Sequence, residues 1–487
     1  MTDEIKTEAK SEAKPLPPEE KIVTTEHTIK LGKKELKYLV TAGTMILKAE
    51  DETEGEKPRA SIFYIAYQLK TDQPKAQRPV TFSFNGGPGS SSVWLHLGLL
   101  GPKRVRMDDD GKPFPPPYSL IPNEYTPLEH TDLVFIDPVS TGYSRPVPGQ
   151  KAGEFHGLKA DIETVGEFIA KWTTRNQRWT SPKFIIGESY GTTRASGLSK
   201  FLQERYGYYL NGVMLVSSVL NFVTLRFDPG NDLPYPLILP SFTATAWYHK
   251  MLPKDLQALS LEGVLKEAEA FASNEYVLGL MKGSSMTKAE RSALIKKLAR
   301  FTGLSETYLD QRDLRVNTLQ FCKELRRKEG LAVGRFDSRI AGPDDKLPAE
   351  IIERDPSHIS INGPYTATLY DYIRGELEVE FDIPYEIIKR LEKWTYDEGK
   401  YTDVSPDLRV AFMINPNLKV YIANGRYDLA TPYFATEYTV NHLGLPAHLA
   451  ERVELSYFEG GHMMYLHLPS LKKLGKELTA FIKSCLP

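Results

Sequence analysis

The residue best placed for nucleophilic chemistry in this sequence is Ser189, within the segment Gly187-Glu188-Ser189-Tyr190-Gly191. This G-x-S-x-G pattern follows the apolar run Phe184-Ile185-Ile186 and precedes a polar stretch of helical character. A tight strand-to-helix turn of this kind holds its serine in a strained conformation, and the two glycines let strand and helix pass closely. The N–H groups and the dipole at the helix start favour the negative charge of acyl transfer. The pattern predicts a serine nucleophile.

A serine nucleophile needs a base that takes its proton and a carboxylate that orients the base. Asp428 ends the glycine-containing segment Gly425-Arg426-Tyr427-Asp428 after an apolar run, and His462 follows Phe458-Glu459-Gly460-Gly461 after another. The chain order Ser, Asp, His is that of α/β-hydrolases. We therefore predict a triad of Ser189, Asp428 and His462.

Other acids and histidines compete for these roles. Asp403 and Asp407 are alternatives to Asp428, but they lie in a loop that contains Ser and Pro, and we expect them to face solvent. His467 lies five residues beyond His462, and we expect it to pack near the last helix.

A glycine-rich turn lies upstream, where Asn85-Gly86-Gly87-Pro88-Gly89 follows an apolar run and opens an apolar helix. Such a turn presents backbone N–H groups without obstruction by side chains. It predicts donors for the oxyanion of a tetrahedral intermediate.

The elements that position these residues follow from the pattern of apolar runs. Segments 35–40 and 61–67 are rich in β-branched and aromatic residues and predict antiparallel strands. Later runs predict strands buried on both faces of a parallel sheet. They lie at 80–84, 133–136, 184–186, 213–216, 418–423 and 453–458. Stretches of helical period dominate from about 221 to 363, and an amphipathic helix is predicted around 471–483.

These elements predict an α/β-hydrolase fold, with a mostly parallel central sheet flanked by helices and an inserted helical cap. The predicted organisation is a disordered tail at 1–21, a first part of the hydrolase core at 22–220, the cap at 221–363 and the second part of the core at 364–487.

Composition limits the function classes. The 487 residues carry 61 basic and 63 acidic side chains, and this balance gives no excess of positive charge that would bind nucleic acid or an anionic membrane.

The two cysteines, Cys322 and Cys485, form no disulfide framework, and no apolar run approaches the roughly 18 residues of a membrane span. No leader-like segment is visible, so we expect a cytoplasmic protein unless a leader has been removed. Metal and nucleotide motifs are absent, so we expect no metal or other cofactor.

Four blocks together resemble the serine carboxypeptidases, in the bacterial branch of that family, which lacks disulfides. Residues 85–89 with Ser91-Ser92 and Gly101-Pro102 resemble the family's N-G-G-P-G-C-S-S…G-P block, and residues 137–144 resemble its D-x-P-x-G-T-G-[FY]-S block. Glu188-Ser189-Tyr190 matches its E-S-Y core, and Gly461-His462-Met463 matches its G-H-M. The resemblance extends from about residue 80 to 470.

The resemblance implies a role for each matching residue. Ser189 would be the nucleophile, His462 the general base and then acid, and Asp428 the group that orients it. The N–H groups of Gly87 and Tyr190 would form the oxyanion hole. The activity implied is a serine-type carboxypeptidase acting on peptides through an acyl-enzyme. An esterase or acyltransferase with the same triad is the alternative, followed by a catalytically silent binding protein.

The resemblance also implies a site for the C-terminal carboxylate of the peptide. It would be held by the Asn85 side chain, the Gly86 N–H and a protonated Glu188, with Met463 in the substrate pocket. A carboxyl beside a carboxylate is favoured in its neutral form, so acid pH would help binding.

The sequence departs from the family pattern at several places. Leu99 stands where the family has a second recognition Glu, and Ser90 replaces a half-cystine. The expected consequence is a weaker preference for free over amidated C-termini. His96 lies three residues before Leu99 on the same predicted helix face and could supply a cation in its place, but we favour a structural or surface role for this lone histidine. For Arg194 we favour a structural ion pair.

Overall fold

The computed structural model describes residues 18–51, 55–391, 393–396 and 399–486. Residues 1–17 of the predicted tail lie outside the described residues. Within the described ranges, no helix is long and apolar enough to cross a membrane, and no group of His, Cys, Asp and Glu side chains has the arrangement of a metal site.

The principal strands form one sheet. In chain order they are β1 (Ile22–Leu31), β2 (Lys34–Asp51), β3 (Gly55–Leu69), β4 (Val80–Phe84), β5 (Asp132–Ile136), β6 (Lys183–Glu188), β7 (Gly212–Val216), β8 (Lys419–Gly425) and β9 (Val453–Phe458). The spatial order is β1-β2-β3-β5-β4-β6-β7-β8-β9, and Arg145–Pro146 adds a short pairing to β3. The first three strands and β5 pair antiparallel, whereas β5, β4, β6, β7, β8 and β9 are parallel. The predicted strands and the α/β-hydrolase fold are confirmed.

The sheet is buried on both faces, which explains why its strands are continuous apolar runs. Ile186 and Met214 face one core together with the C-terminal helix Leu468–Ser484. Ile185 and Val213 face the opposite core, formed with helices Leu158–Arg175 and Tyr190–Tyr206. Alternate residues of one strand therefore belong to different cores.

Helices cover the sheet and fill the connection between β7 and β8. Their bounds are Val93–Leu95, Leu158–Arg175, Tyr190–Tyr206, Pro234–Tyr248, Lys254–Gln257, Leu261–Phe271, Val277–Lys282, Lys288–Thr302, Glu306–Gln311, Thr318–Glu324, Pro356–Gly375, Ser405–Ile414, Tyr433–Asn441, Ala447–Ala450 and Leu468–Ser484. The apolar helix after the glycine-rich turn is short and continues as a π-helical turn, His96–Leu100.

The segment between β7 and β8, residues 217–418, is called the insertion below. Its helices between residues 234 and 324 share an apolar core that includes Phe242, Phe271 and Phe321 and that also reaches Leu429 of the hydrolase part. Its helices Pro356–Gly375 and Ser405–Ile414 pack instead into the two cores of the sheet. A small hairpin, Leu331–Val333 with Ala341–Pro343, lies within it. Helix Pro356–Gly375 crosses residue 363, where the sequence pattern places the end of the cap. The insertion and the carboxyl ends of the strands are therefore packed together.

Candidate active site

Ser189 lies on a sharp turn between β6 and helix Tyr190–Tyr206, which we call the elbow helix. Its backbone has φ 59° and ψ −130°, and its N–H donates to the Val216 carbonyl at 3.0 Å. A Cβ on Gly187 would collide with the Gly191 carbonyl oxygen, so strand and helix can approach this closely only with glycine there. The strained turn predicted from the two glycines is present, and the Ser189 side chain is half-buried at its tip.

Asp428 and His462 meet because their strands are neighbours. β8 and β9 pair in parallel with Gly425 opposite Phe458, and each residue follows the carboxyl end of its strand. His462 Nδ1 lies 2.8 Å from Asp428 Oδ2, and both side chains are buried. A Cβ on Gly425 would strike the Gly461 carbonyl, so the two loops also touch through their backbones. With Nδ1 engaged by Asp428, His462 lines the same cavity as Ser189.

Thr431, which the sequence analysis did not single out, fixes the Asp428 carboxylate. The N–H groups of Ala430 and Thr431 donate to Asp428 Oδ1 at 2.7 and 2.9 Å, and Thr431 Oγ1 donates to Oδ2 at 2.6 Å. This pattern is a turn closed by an aspartate side chain, and its sequence signal is a threonine three residues after the acid. The carboxylate reaches His462 in a fixed orientation.

The competing residues are engaged elsewhere. Asp403 accepts from the Asn221 side chain at 3.0 Å, and Asp407 pairs with Lys200 at 3.0 Å. His467 Nδ1 lies 2.9 Å from Ser470 Oγ, at the start of the last helix.

Glu188, directly before the serine, is buried, and burial raises the pKa of its carboxyl to about 7. The His462 charge and a hydrogen bond from Tyr465 act against this shift. For His462, burial opposes the charged form, but the charge and hydrogen bond of Asp428 outweigh it and leave its pKa raised. The neutral Glu188 carboxyl is therefore favoured over a wider pH range than an exposed glutamate would show.

Tyr465 is a second residue that sequence reasoning missed. Its buried hydroxyl donates to Glu188 Oε2 at 2.6 Å. A Cβ on Gly98 would collide with the Tyr465 ring, so glycine in the π-helical turn makes room for this contact. The only sequence signal is its position three residues after His462. Tyr465 orients the Glu188 carboxyl.

The glycine-rich turn lies against the start of the elbow helix. A Cβ on Gly86 would collide with the Tyr190 amide nitrogen, and Gly87 has φ +104°. The N–H groups of Gly87 and Tyr190 donate to no atom of the described residues. Two free donors thus lie on adjoining segments beside Ser189, as an oxyanion hole requires.

Asn85 presents an unpartnered donor. Its Oδ1 accepts from the Leu95 N–H at 3.0 Å, which fixes the amide, and its Nδ2 is buried with no hydrogen-bond partner among the described residues. The amide is close enough to Glu188 to favour its ionised form, but not in hydrogen-bonding geometry. Arg194 donates to the Asn85 carbonyl at 2.6 Å and pairs with Asp161 at 2.7 Å. Arg194 therefore has the structural role that we favoured.

One cavity of about 120 Å³ brings most of the predicted site residues together. Its lining includes Asn85, Gly86, Gly87, Glu188, Ser189, His462 and Met463. Asp428 lies behind His462, and the Tyr190 side chain packs against Arg194 and Trp394. The insertion closes one side, because the Phe336 ring stacks on His462 with centroids 5.0 Å apart and the Phe336 carbonyl accepts from the His462 N–H.

His96 does not supply a substitute cation and has instead the structural role that we favoured for it. His96 is buried among aromatic rings, its Nε2 lies 2.6 Å from the Tyr67 hydroxyl, and burial lowers its pKa to about 3. It does not line the cavity, and neither does Leu99, which is in the apolar core. The shared-face argument assumed α-helical spacing, whereas His96–Leu100 is a π-helical turn. Ser90 does line the cavity.

Comparisons with known proteins agree with the fold and the motifs. The family model described as serine carboxypeptidase matches residues 52–224. Serine carboxypeptidase-like 8 of Arabidopsis thaliana is 27% identical over 192 residues, 37% of this chain and 41% of that protein. Serine carboxypeptidase-like 36 of the same plant is 30% identical over 173 residues, 34% of this chain and 33% of that protein. The chain thus covers less than half the length of these relatives.

A solved structure matches over most of the chain. The crystal structure of Kex1(delta)p, a prohormone-processing carboxypeptidase from Saccharomyces cerevisiae, superposes with a TM-score of 0.51 at 16% identity and covers 92% of this chain and 91% of that one. At this identity the likeness concerns the fold. The likeness to the serine carboxypeptidase family therefore rests on residues 52–224 and on the relatives that match part of the chain, and over the whole chain the likeness is one of fold.

Proposed function

We propose that this protein is a serine-type carboxypeptidase that removes C-terminal residues from peptides through an acyl-enzyme. The observation that carries the proposal is the shared cavity. There the unpartnered Asn85 amide and the buried Glu188 carboxyl lie beside Ser189 and His462. A site for a terminal carboxylate next to a serine nucleophile is what an exopeptidase requires.

The proposed carboxylate site consists of three groups. Asn85 Nδ2 and the Gly86 N–H donate to the substrate carboxylate. Glu188, with a pKa of about 7, donates its proton below that pH and then does not repel the substrate charge. Tyr465 holds the second Glu188 oxygen, so the proton is directed towards the substrate.

In the proposed reaction, Ser189 Oγ attacks the carbonyl carbon of the last peptide bond while His462 Nε2 takes the hydroxyl proton. The N–H groups of Gly87 and Tyr190 hold the oxyanion. His462 then gives its proton to the departing amine, the C–N bond breaks and an ester to Ser189 remains. Water attacks this ester by the same route and releases the shortened peptide. Asp428 stabilises the imidazolium in both steps.

The test is timed mass spectrometry of a mixed peptide set, with each peptide present as free acid and as C-terminal amide. We expect sequential loss of single C-terminal residues, faster from the acids. Fluorophosphonate should label the wild type but not Ser189→Ala. The melting temperature of Ser189→Ala should be nearly that of wild type, because the hydroxyl contributes little to packing. Turnover of activated esters without peptide cleavage would favour the esterase alternative, and cleavage by Ser189→Ala would remove this serine from the mechanism.

A further inference from the structure

A second and larger cavity, of about 500 Å³, adjoins the active-site cavity. The two share Gly87 and Arg335 in their linings. Much of the larger cavity is formed by the insertion, and its apolar wall includes Ile238, Leu319 and Leu429. It has room for a side chain and meets the cavity of the proposed carboxylate site at Gly87 and Arg335.

Arg335 carries a charge that nothing in the described residues neutralises directly. Its side chain is half-buried, yet no carboxylate lies within 4.0 Å of the guanidinium, which rests over the Phe336 ring at 5.4 Å from the centroid. Arg315 and Arg327, other arginines of the insertion, are paired with acids at 2.7 and 2.6 Å. A half-buried guanidinium with free donors is suited to bind a carboxylate through two parallel hydrogen bonds.

The backbone of Arg335 is tied to the catalytic loops. Its carbonyl accepts from the Leu429 N–H at 3.1 Å, directly after the triad aspartate, and its own N–H donates to Asp355 Oδ1 at 3.1 Å. Asp355 is occupied with such backbone contacts at the start of helix Pro356–Gly375. The root of the Arg335 side chain is therefore fixed relative to the scissile bond.

The larger cavity favours an anion. Its other charged lining groups are the exposed Arg226, whose guanidinium lies over the rings of Phe222 and Tyr396, and the exposed Asp228, which Tyr401 contacts. Two arginines and one aspartate leave a positive balance. Because Gly87 lies between the cavities and the C-terminal residue occupies the smaller one, the preceding residue of the peptide faces the larger one.

We propose that Arg335 selects peptides with Asp or Glu as the penultimate residue, on the acyl side of the scissile bond. This inference rests on the proposed carboxypeptidase function. The acidic side chain enters the larger cavity and meets the guanidinium, while its methylene groups contact the apolar wall. Arg335 is thus a specificity-determining residue and takes no part in bond breaking.

The experiment compares kcat/KM for free-acid peptides that differ only by Glu or Gln at the penultimate position. We expect wild type to prefer Glu by about 10- to 100-fold, the range typical of hydrogen bonds to charged groups. Arg335→Gln should bring this ratio to about 1, and Arg335→Glu should invert the preference towards penultimate Lys. Arg327→Gln, an arginine of the insertion that lines neither cavity, is the matched control and should keep the wild-type ratio.

The outcomes separate the two proposals. If wild type cleaves the peptides but shows no Glu preference, or if Arg335→Gln keeps it, the assignment of Arg335 is wrong while the carboxypeptidase function stands. If Arg335→Gln instead removes the preference for free acids over amides, the guanidinium binds the terminal carboxylate and the proposal is overturned. If wild type cleaves no peptide although fluorophosphonate labels Ser189, the proposed function fails and this inference fails with it.

Discussion

Ser189 keeps a positive φ that costs a non-glycine residue about 1–3 kcal/mol, and its surroundings determine that conformation completely. The Ser189 N–H donates to a carbonyl of β7, and the backbones of Gly187 and Gly191 are in close contact on either side of the turn. The strain places the hydroxyl at the cavity wall instead of the sheet interior. The strained backbone of Ser189 therefore lowers local stability but exposes its hydroxyl to the cavity.

Asp428→Asn should leave the loop folded, because an amide oxygen can still accept from Ala430 and Thr431. His462 would lose the acceptor for its Nδ1 proton, and we expect turnover to fall by about 10⁴-fold, as in other Ser-His-Asp enzymes. Steady-state kinetics on an activated ester would measure this loss. Asp403→Asn and Asp407→Asn are matched controls that should stay near wild type. The triad assignment is wrong if either control is dead and Asp428→Asn is active.

Much of the site was predictable residue by residue, because glycine patterns and chain order constrain a nucleophile, a base and an acid. The contacts of Thr431 with Asp428 and of Tyr465 with Glu188, and the place of Arg335 in the cavity lining, were not predictable, because they depend on which loops meet in three dimensions. His96 shows that suitable spacing alone does not place a polar residue in the site, because its side chain is buried against Tyr67 and Phe135.

At the scale of elements, the parallel order of β6, β7, β8 and β9 brings Ser189, Asp428 and His462 to one edge of the sheet. The strands were predictable because burial on both faces makes them uniformly apolar. The π-helical turn was not predictable, because the packing of Tyr465 against Gly98 within it is not visible in the sequence pattern. That turn contains Leu99, the position at which the resemblance to the serine carboxypeptidases leads one to expect a glutamate.

Gly98→Ala tests the link between this turn and Glu188. The new methyl group would collide with the Tyr465 ring and lie 2.7 Å from the Tyr365 hydroxyl oxygen. We expect a loss of about 1–3 kcal/mol in the free energy of unfolding, typical of overpacking, and a higher KM for free-acid peptides as Tyr465 leaves Glu188. Urea unfolding and peptide kinetics measure the two effects.

Gly153→Ala is the control for that substitution, since nothing lies within 4 Å of its added methyl group. Tyr465→Phe should reproduce the change in KM with a smaller loss of stability, because it removes only the hydroxyl. Unchanged KM in both Gly98→Ala and Tyr465→Phe would show that Tyr465 does not orient Glu188.

At the scale of the whole molecule, the site lies where the sheet meets the insertion, part of which has an apolar core of its own. Ser189, Asp428 and His462 follow strands of the sheet, and the insertion places Phe336 against His462 and Arg335 in the cavity lining. The helices of the insertion were predictable from the helical period of its apolar residues. The contacts of the insertion with the loops that hold Asp428 and His462 were not predictable. Changes in the insertion should therefore alter specificity more readily than changes in the sheet.

The stability of the whole fold should depend on pH through Glu188. Its pKa is about 7 in the folded protein, whereas the ordinary value of a glutamate is 4.5, so the folded state binds this proton more tightly than the unfolded chain does. The stabilisation is complete below about pH 4.5 and is lost as the pH rises through about 7, a loss of up to about 3 kcal/mol. Glu188→Gln keeps an acceptor for Tyr465 and has no charge to bury.

We therefore expect Glu188→Gln to gain stability relative to wild type by up to about 3 kcal/mol between pH 4.5 and pH 8. Urea unfolding at a series of pH values measures the difference. Ser189→Ala is the control and should run parallel to wild type, because it leaves the buried carboxyl in place. Asp428, the main cause of the raised pKa of His462, is present in both wild type and Glu188→Gln, and only the smaller contribution of the Glu188 charge is lost in the variant. Parallel curves for Glu188→Gln and wild type would show that burial does not hold Glu188 in its neutral form, and the proposed proton donation to the substrate carboxylate would lose its basis.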